Sequence, residues 1–436
     1  MRPIHVGLLG IGTVGGGTWD VLGRNADEIQ RRAGRRIQIT RVADKALERA
    51  RKIVNRKAKV TADALEVTRA RDIDIVIELI GGTGIAKELV LDAIRHGKHV
   101  VTANKALLAT HGNEIFAAAQ KKGVMVAFEA AVAGGIPIIK ALREGLSANR
   151  IEWIAGIING TSNFILSEMR DKGLAFATVL KDAQKKGYAE SDPIFDIEGV
   201  DAAHKLTILS ALAFGVPMQF DKAYTEGISK LTREDIAYAE EIGYRIKLLG
   251  ITRRAKKGIE LRVHPTLVPA KRLIANVEGV MNAILVKGDA VGPTLYYGAG
   301  AGSQPTASAV VADLIDVTRL ITADPEHRVP HLAFQPDRLS KTPILPIGEV
   351  ETSCYLRMRV LDRPGVLADI ARILADSRIS IGAMVQKEPE KGESRVDIVM
   401  LTHLAVEKNV NAAIAKIEKL PSVVGKVTRI RLEELL

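Results

Sequence analysis

Residues 187–206, GYAESDPIFDIEGVDAAHKL, place five carboxylates in twenty positions of a chain whose formal net charge is +11, and the stretch all but closes on a lysine. Asp201 and Lys205 stand four residues apart, the spacing that sets two side chains over one another on a helix. From Gly199 to Phe214 the chain reads GVDAAHKLTILSALAF, so Asp201, Lys205, Ile208 and Leu212 share one helical face and Ala202, Leu206, Leu209 and Ala213 the next. A helix that is apolar nearly all round is a buried one. The acid and the base therefore stand at the polar end of a core element, where charges are either paired or put to use. Both an ordinary i,i+4 ion pair, worth ~0.2–0.5 kcal/mol on an exposed helix, and a working acid–base pair fit these residues. His204 faces another side and reads as a structural or surface histidine.

A second chemistry stands near the start. The apolar run IHVGLL, residues 4–9, ends at Gly10-Ile11-Gly12-Thr13-Val14-Gly15 and is followed by the helix-length TWDVLGRNADEIQRR. This is G-x-G-x-x-G between a strand and a helix. Gly10 permits the tight turn, Gly12 lets the backbone approach a pyrophosphate and Gly15 lets helix and strand pack closely, with the helix N-terminus facing the phosphates. The second strand ends at Asp44-Lys45, with Arg49 and Arg51 close behind. An acid there suits the ribose hydroxyls of NAD and a base the 2′-phosphate of NADP, so the preference stays open.

Elements must hold these residues in place. Strand-like runs RIQITRVAD, IDIVIEL, KHVVTAN and VMVAF alternate with helical stretches such as KELVLDAIRHG and GNEIFAAAQKKG. That alternation predicts an α/β, doubly wound parallel sheet over residues 1–136. From 137 to 325 long helices mix with β-like runs, and SAVVADLIDVTRLI, residues 308–321, reads as a helix returning to the first domain. Five prolines between 325 and 350 mark a linker, taken as 326–352. Residues 353–436 then read β-α-β-β-α-β. An RNA-recognition module of that topology needs exposed aromatics on its central strands, and none is present, so a small-ligand regulatory domain fits better.

The bulk composition agrees. At 436 residues the chain suits about two to four domains of roughly 100–200 residues each. It is 47% hydrophobic with 4% aromatics, ordinary globular composition. A lone cysteine, Cys354, cannot form an internal disulfide and points to a reducing cytoplasm. No apolar run nears the ~18–20 residues of a membrane span, and MRPIHVGLLGIG lacks a signal-peptide cleavage signature. Between Arg24 and Lys59 thirteen Lys/Arg stand against four Asp/Glu. Without aromatics for stacking, that stretch reads as a solvated basic surface rather than a nucleic-acid patch.

The stretches IGTVGGG, VTANKALLA, FEAAVAGGIPII, GIINGTSNFIL, GYAESDPIFDIEGVDAAHKL and YYGAGAGSQPTASAVVADL, in this order, resemble homoserine dehydrogenase, and the terminal module resembles an ACT domain. The likeness covers essentially the whole chain, with Ile194 and Ile197 a mild departure at apolar positions. It implies a Rossmann-like NAD(P)-binding domain, an α+β catalytic and dimerisation domain, and a C-terminal ferredoxin-like ACT domain. The implied reaction interconverts L-homoserine and L-aspartate 4-semialdehyde with NAD(P)(H), in threonine, methionine and isoleucine biosynthesis.

By this resemblance Lys205 is the proton donor, Asp201 holds it and the substrate's polar end, Glu190 receives the substrate ammonium, and the Gly187 backbone lies near cofactor and substrate. Lys105, in TANK, stands beside the nicotinamide as the second candidate for proton transfer. Thr13 and Val14 lend backbone amides to the cofactor and Gly302 lies against it. Glu129, Val132, Gly134 and Ile136 match a sodium site of one carboxylate and main-chain carbonyls, whereas one cysteine and scattered histidines offer no zinc cluster. DRPGVLADIA, residues 362–371, sets a glycine turn before a helix, where ACT modules hold an amino acid, here L-threonine as feedback effector. A homodimer or homotetramer is expected, and with no aspartokinase-like region ahead of the first strand, a monofunctional enzyme. Two other readings stay open: an NAD(P)-dependent enzyme for another small aldehyde, and a non-catalytic amino-acid sensor on a dehydrogenase scaffold.

Overall fold

The computed structural model describes residues 2–387 and 393–436. Its first sheet contains β1 (Ile4–Leu9), β2 (Ile37–Ala43), β3 (Lys59–Thr61), β4 (Ile75–Glu78), β5 (His99–Thr102) and β6 (Val126–Ala127), in the spatial order β3-β2-β1-β4-β5-β6. All the pairings are parallel. The order reverses between β2 and β4 on either side of β1, which places a crevice beyond the carboxyl end of β1, where such sheets bind their ligands. One face of the sheet is covered by a helix from far along the chain. Ala307, Val310, Leu314 and Val317 of the helix Ser303–Leu320 share a core with Ile4, Val6 and Leu8. That is the helix expected to return to this domain, extended by several residues at its start.

The second sheet contains β7 (Ile151–Ile157), β8 (Tyr224–Thr225), β9 (Tyr244–Arg254), β10 (Ile259–Pro269), β11 (Met281–Gly288) and β12 (Gly292–Ala299). The helix Val200–Phe214 lies against it, with Leu206 close to Gly250 of β9. The terminal module supplies β13 (Glu351–Leu361), β14 (Ile381–Gln386), β15 (Arg395–Thr402), β16 (Ala405–Val406) and β17 (Val423–Leu432), with helices Val366–Asp376 and Glu407–Ile417. Its strand order β17-β13-β15-β14 is the ferredoxin-like arrangement.

The two domains share one sheet. β10 pairs in parallel with β17 at Thr266 with Arg431 and Leu267 with Leu432, so the described residues form an 11-stranded sheet running from β12 to β14. Charges are buried at this seam: Arg262, 1% exposed, donates to Glu260 at 2.8 Å and to Glu433 at 2.5 Å. A buried guanidinium is tolerable only with such partners.

The proline-rich segment is a strap fastened at several points. Arg328 Nη1 donates to the Gly123 carbonyl at 2.9 Å, and Val126 N donates to His331 Nε2 at 3.1 Å. Ile259 N bonds the Pro343 carbonyl and Leu345 N the Ile259 carbonyl, tying the strap to β10. Burial, with Arg143 and Arg328 nearby, depresses the pKa of His331 to about 4. Burial, with Arg328, does the same to His99, whose Nδ1 accepts from Met125 N.

A histidine held neutral in the fold but titrating normally when unfolded contributes stability that is complete above about pH 6.5 and lost as pH falls toward the folded value. The loss is on the order of 2 kcal/mol per histidine by pH 5. In His331→Gln, whose amide oxygen can still accept from Val126, the drop in melting temperature between pH 7.5 and pH 5 should be smaller than in the wild type. Equal drops would contradict this.

Candidate active site

The glycine turn is shaped by what a side chain would strike. Gly10 has φ +88°, and a Cβ there would sit 2.9 Å from the Leu79 carbonyl oxygen. A Cβ on Gly15 would lie 2.2 Å from the Gly10 carbonyl oxygen, so helix Thr13–Arg24 packs directly on the turn. Gly12 caps that helix without a side-chain hydrogen bond, leaving its first amides for a ligand. This uncapped N-terminus beside a glycine with open space fits a pyrophosphate. Asp44 holds the turn itself: Oδ2 accepts from Ile11 N at 2.8 Å and Oδ1 from Ala46 N at 2.7 Å, with Arg49 3.7 Å away.

Lys105 opens the helix Lys105–Lys122 and is delivered by a fixed scaffold. Asn104 caps the helix by accepting from Leu107 N at 3.1 Å and donates to the Gly82 carbonyl at 2.7 Å. Thr102 donates to the fully buried Glu78, which also accepts the amides of Ile80 and Gly81.

Lys105 meets the helix Val200–Phe214 at Asp201. Asp201 Oδ2 accepts from Lys205 Nζ at 2.6 Å, and Oδ1 lies 3.3 Å from Lys105 Nζ. Lys205 Nζ also donates to the Ile158 carbonyl at 2.8 Å. An ammonium has three donors, so one remains for a substrate oxygen. Burial alone would raise the Asp201 pKa, but the charges of Lys205 and Lys105 outweigh it and hold the carboxyl far below its ordinary value. His204 is buried against Phe195 and Phe220, and burial lowers its pKa to about 4, which makes it a neutral packing residue.

Asn159 ties this pair to a second acid. Its Nδ2 donates to Asp201 Oδ2 at 3.0 Å and to Asp196 Oδ1 at 2.8 Å, while its Oδ1 caps the helix Gly160–Lys172 by accepting from Ser162 N. Burial raises the pKa of Asp196, and the nearby Asp201 charge adds to it. These groups line a cavity of ≈ 440 Å³ shared with Gly187, Tyr188 and the glycine run ending at Gly302. In that run a Cβ on Gly300 would overlap Asn282, at 2.0 Å from its Nδ2. The cavity thus joins Lys205, Lys105, Asp201, Gly187 and Gly302, whereas Glu190 is exposed and outside its lining. Asn159, Thr161 and Asp196 were not singled out from the sequence. The signals for them were NGTS after a strand and an acid five residues ahead of Asp201.

Glu129 is 4% exposed, and its two oxygens accept the amides of Ile139 and Lys140 at 2.9 and 2.8 Å. Burial raises its pKa. Ala133 and Gly134 both have positive φ, which folds residues 132–136 back on themselves. Ile138 N bonds the Ile136 carbonyl at 2.8 Å. A buried carboxylate beside a turn of main-chain carbonyls fits a hard cation.

A parallel sheet with a glycine turn for a dinucleotide, opening on a cavity where a buried aspartate joins two lysines, defines an NAD(P)-dependent oxidoreductase. Family profiles match in three parts: "Homoserine dehydrogenase, NAD binding domain" over residues 10–129, "Homoserine dehydrogenase" over 137–315 and "ACT domain" over 355–422. The chain is 62% identical over 435 residues to homoserine dehydrogenases of Pseudomonas aeruginosa and Neisseria gonorrhoeae, each alignment covering 100% of both chains. A homoserine dehydrogenase crystal structure from Thiobacillus denitrificans superposes with a TM-score of 0.96 at 73% identity, covering 100% of this chain and 99% of that one. The S. aureus enzyme at pH 7.5 gives 0.77 at 32% identity, covering 99% of each. The chain belongs to the homoserine dehydrogenase family and has that enzyme's activity.

The amide of Asn159 bridges the buried carboxylate of Asp201 and the half-buried one of Asp196. Asn159→Ala should lower kcat/KM by roughly 10- to 100-fold, since each bond to a charged group is worth ~1.5–3 kcal/mol. It should also move the acid limb of the pH–rate profile upward. An unchanged acid limb would contradict the role given to Asn159.

Proposed function

We propose that Lys205 is the general acid for reduction of L-aspartate 4-semialdehyde to L-homoserine. NAD(P)H, when bound, supplies the hydride that adds to the aldehyde carbon. Lys205 Nζ gives a proton to the aldehyde oxygen as that carbon–oxygen double bond becomes single, and takes it back in the oxidising direction. Asp201 orients Lys205, and Lys105 on its other oxygen adds a second cation near the developing alkoxide. The observation that carries this reading is the single Asp201 carboxylate shared by two lysines at 2.6 and 3.3 Å.

The substrate ammonium goes to Glu190, with Asp196 as the acid facing it inside the cavity. Gly187 offers its backbone to substrate and cofactor. The amides of Thr13 and Val14, together with Gly10, Gly12 and Gly15, cradle the pyrophosphate, and Gly302 lies along the cofactor. NADP(H) is the favoured form, because both Asp44 oxygens are already engaged by backbone amides while Lys45 and Arg49 stand beside them. Glu129 and the carbonyls of Val132, Gly134 and Ile136 hold a sodium ion. The enzyme serves threonine, methionine and isoleucine biosynthesis in the cytoplasm as a homodimer or homotetramer, with L-threonine acting through the ACT domain. Among the described residues no helix is long and apolar enough to cross a membrane.

Lys205→Ala should lower kcat by ~10²–10⁴-fold in an NADPH-absorbance assay with aspartate semialdehyde, while NADPH binding measured by fluorescence titration stays near the wild-type value. Near-normal turnover would remove Lys205 from the proton step.

A further inference from the structure

One wall of the active-site cavity carries an amide that the described residues leave unsatisfied. Asn282, the second residue of β11, is 1% exposed and lines the cavity shared by Lys105 and Lys205. Its Oδ1 is shut off from water and accepts no hydrogen bond among the described residues, and its Nδ2 donates none. Burying a polar group without a partner costs its full desolvation, so an orphaned amide facing a ligand cavity calls for a ligand that completes it.

The amide is also held in place. Asn163 Nδ2 donates to the carbonyls of Val277, Gly279 and Met281 at 3.1, 2.9 and 3.3 Å, and the buried Lys247 donates to Val277 at 2.6 Å. These bonds pin the turn that leads into β11. The Asn282 amide fills the room that a Cβ on Gly300 would need. Gly300 is fixed in turn, since Gly135 N bonds the Ala299 carbonyl at 3.0 Å and a Cβ on Gly134 would lie 2.6 Å from the Gly300 carbonyl oxygen. A polar group supported in this way is prepared for one partner geometry.

The position of the wall says which partner. Residues 299–302 lead from the side of Asn282 to Ser303, whose Oγ donates to the Thr13 carbonyl of the dinucleotide turn at 2.9 Å. A dinucleotide with its pyrophosphate at that turn and its reacting ring beside Lys105 and Lys205 must pass along residues 299–302. The acids suited to a substrate ammonium, Glu190 and Asp196, come instead from the stretch ahead of the helix Val200–Phe214. A carboxamide offers an acceptor oxygen and a pair of donors. A carboxylate partner would leave Oδ1 unpaired and an ammonium would leave Nδ2 unpaired, whereas a second carboxamide satisfies both. The 3-carboxamide of nicotinamide is such a group, and the hydride carrier of this reaction brings it into the cavity.

We propose that Asn282 is a cofactor-recognition residue whose side-chain amide pairs with the carboxamide of the nicotinamide ring and holds the ring against rotation. The inference deepens, and rests on, the reading that places that ring beside Lys205.

The test is calorimetric titration of the full-length enzyme with NADP⁺ and NAD⁺, each against its 3-acetylpyridine analogue, which keeps the carbonyl but carries a methyl in place of the amide nitrogen. The wild type should bind the analogue about 5- to 100-fold more weakly than the parent cofactor, the effect of one buried group left unpaired. Asn282→Leu keeps the approximate shape of the side chain without its polar atoms and should bring parent and analogue to within about twofold of each other. Each protein is compared with itself, so a general loosening of the cavity cancels, and Asn282→Ala supplies the same comparison should the leucine variant fail to fold. No gap in the wild type, or a gap in Asn282→Leu as wide as the wild type's, would overturn the pairing. A retained gap with a raised KM for L-homoserine would put Asn282 on the substrate and overturn it as well. These results leave the Lys205 proton step standing, because binding of oxidised cofactor involves no proton transfer. Near-normal turnover in Lys205→Ala, with the gap closed in Asn282→Leu, would remove that step and leave the Asn282 pairing in place.

Discussion

A carboxylate almost wholly removed from water survives in this fold because two ammonium groups lie against it. Asp201 is 4% exposed, and desolvation of such a charge costs several kcal/mol unless partners offset it. Lys205 comes from the next turn of the same helix and needs no tertiary contact to reach it. Lys105 comes from the other domain, at the first residue of a helix that follows β5. The ion triad is therefore also a joint between the nucleotide domain and the catalytic domain. Its geometry holds only while both sheets keep their relative position.

Several features maintain that position. The helix Ser303–Leu320 belongs by sequence to the second domain but packs in the core of the first, and Ser303 Oγ donates to the Thr13 carbonyl at 2.9 Å. A Cβ on Gly17 would stand 2.4 Å from that hydroxyl, so the helix Thr13–Arg24 is held close to the 303–320 helix. The strap at 325–345 binds the edge strand β6 at one end and β10 at the other. The ACT module joins through β17, which makes the catalytic sheet and the regulatory sheet a single mechanical element.

Much of this was legible in the residues, and the parts that were not share a cause. The parallel sheet, the glycine turn and the buried helix Val200–Phe214 follow from local pattern, because their periodicity and glycine spacing are set within a few turns of chain. Asn159 and Asp196 are ordinary polar residues locally; they become a bridge and a cavity acid only when two helix starts meet. The strand pattern of β10 is legible, but its complete burial has a similar distant cause. IELRVHPTLVP contains Glu260, Arg262, His264 and two prolines, yet every residue of it is buried, since Glu433 and Arg431 arrive from the far end of the chain to pair with its charges and edge. Glu190 belongs to a recognisable stretch, but the turn that carries it leaves it exposed at the cavity's margin rather than in its lining.

The most direct measurement is a crystal structure of the ternary complex with oxidised cofactor and L-homoserine. The account predicts the homoserine hydroxyl oxygen at ~2.6–3.2 Å from Lys205 Nζ, beside the nicotinamide ring, with Asp201 still spanning both lysines. A hydroxyl bonded elsewhere, with Lys205 turned away from the ring, would contradict it.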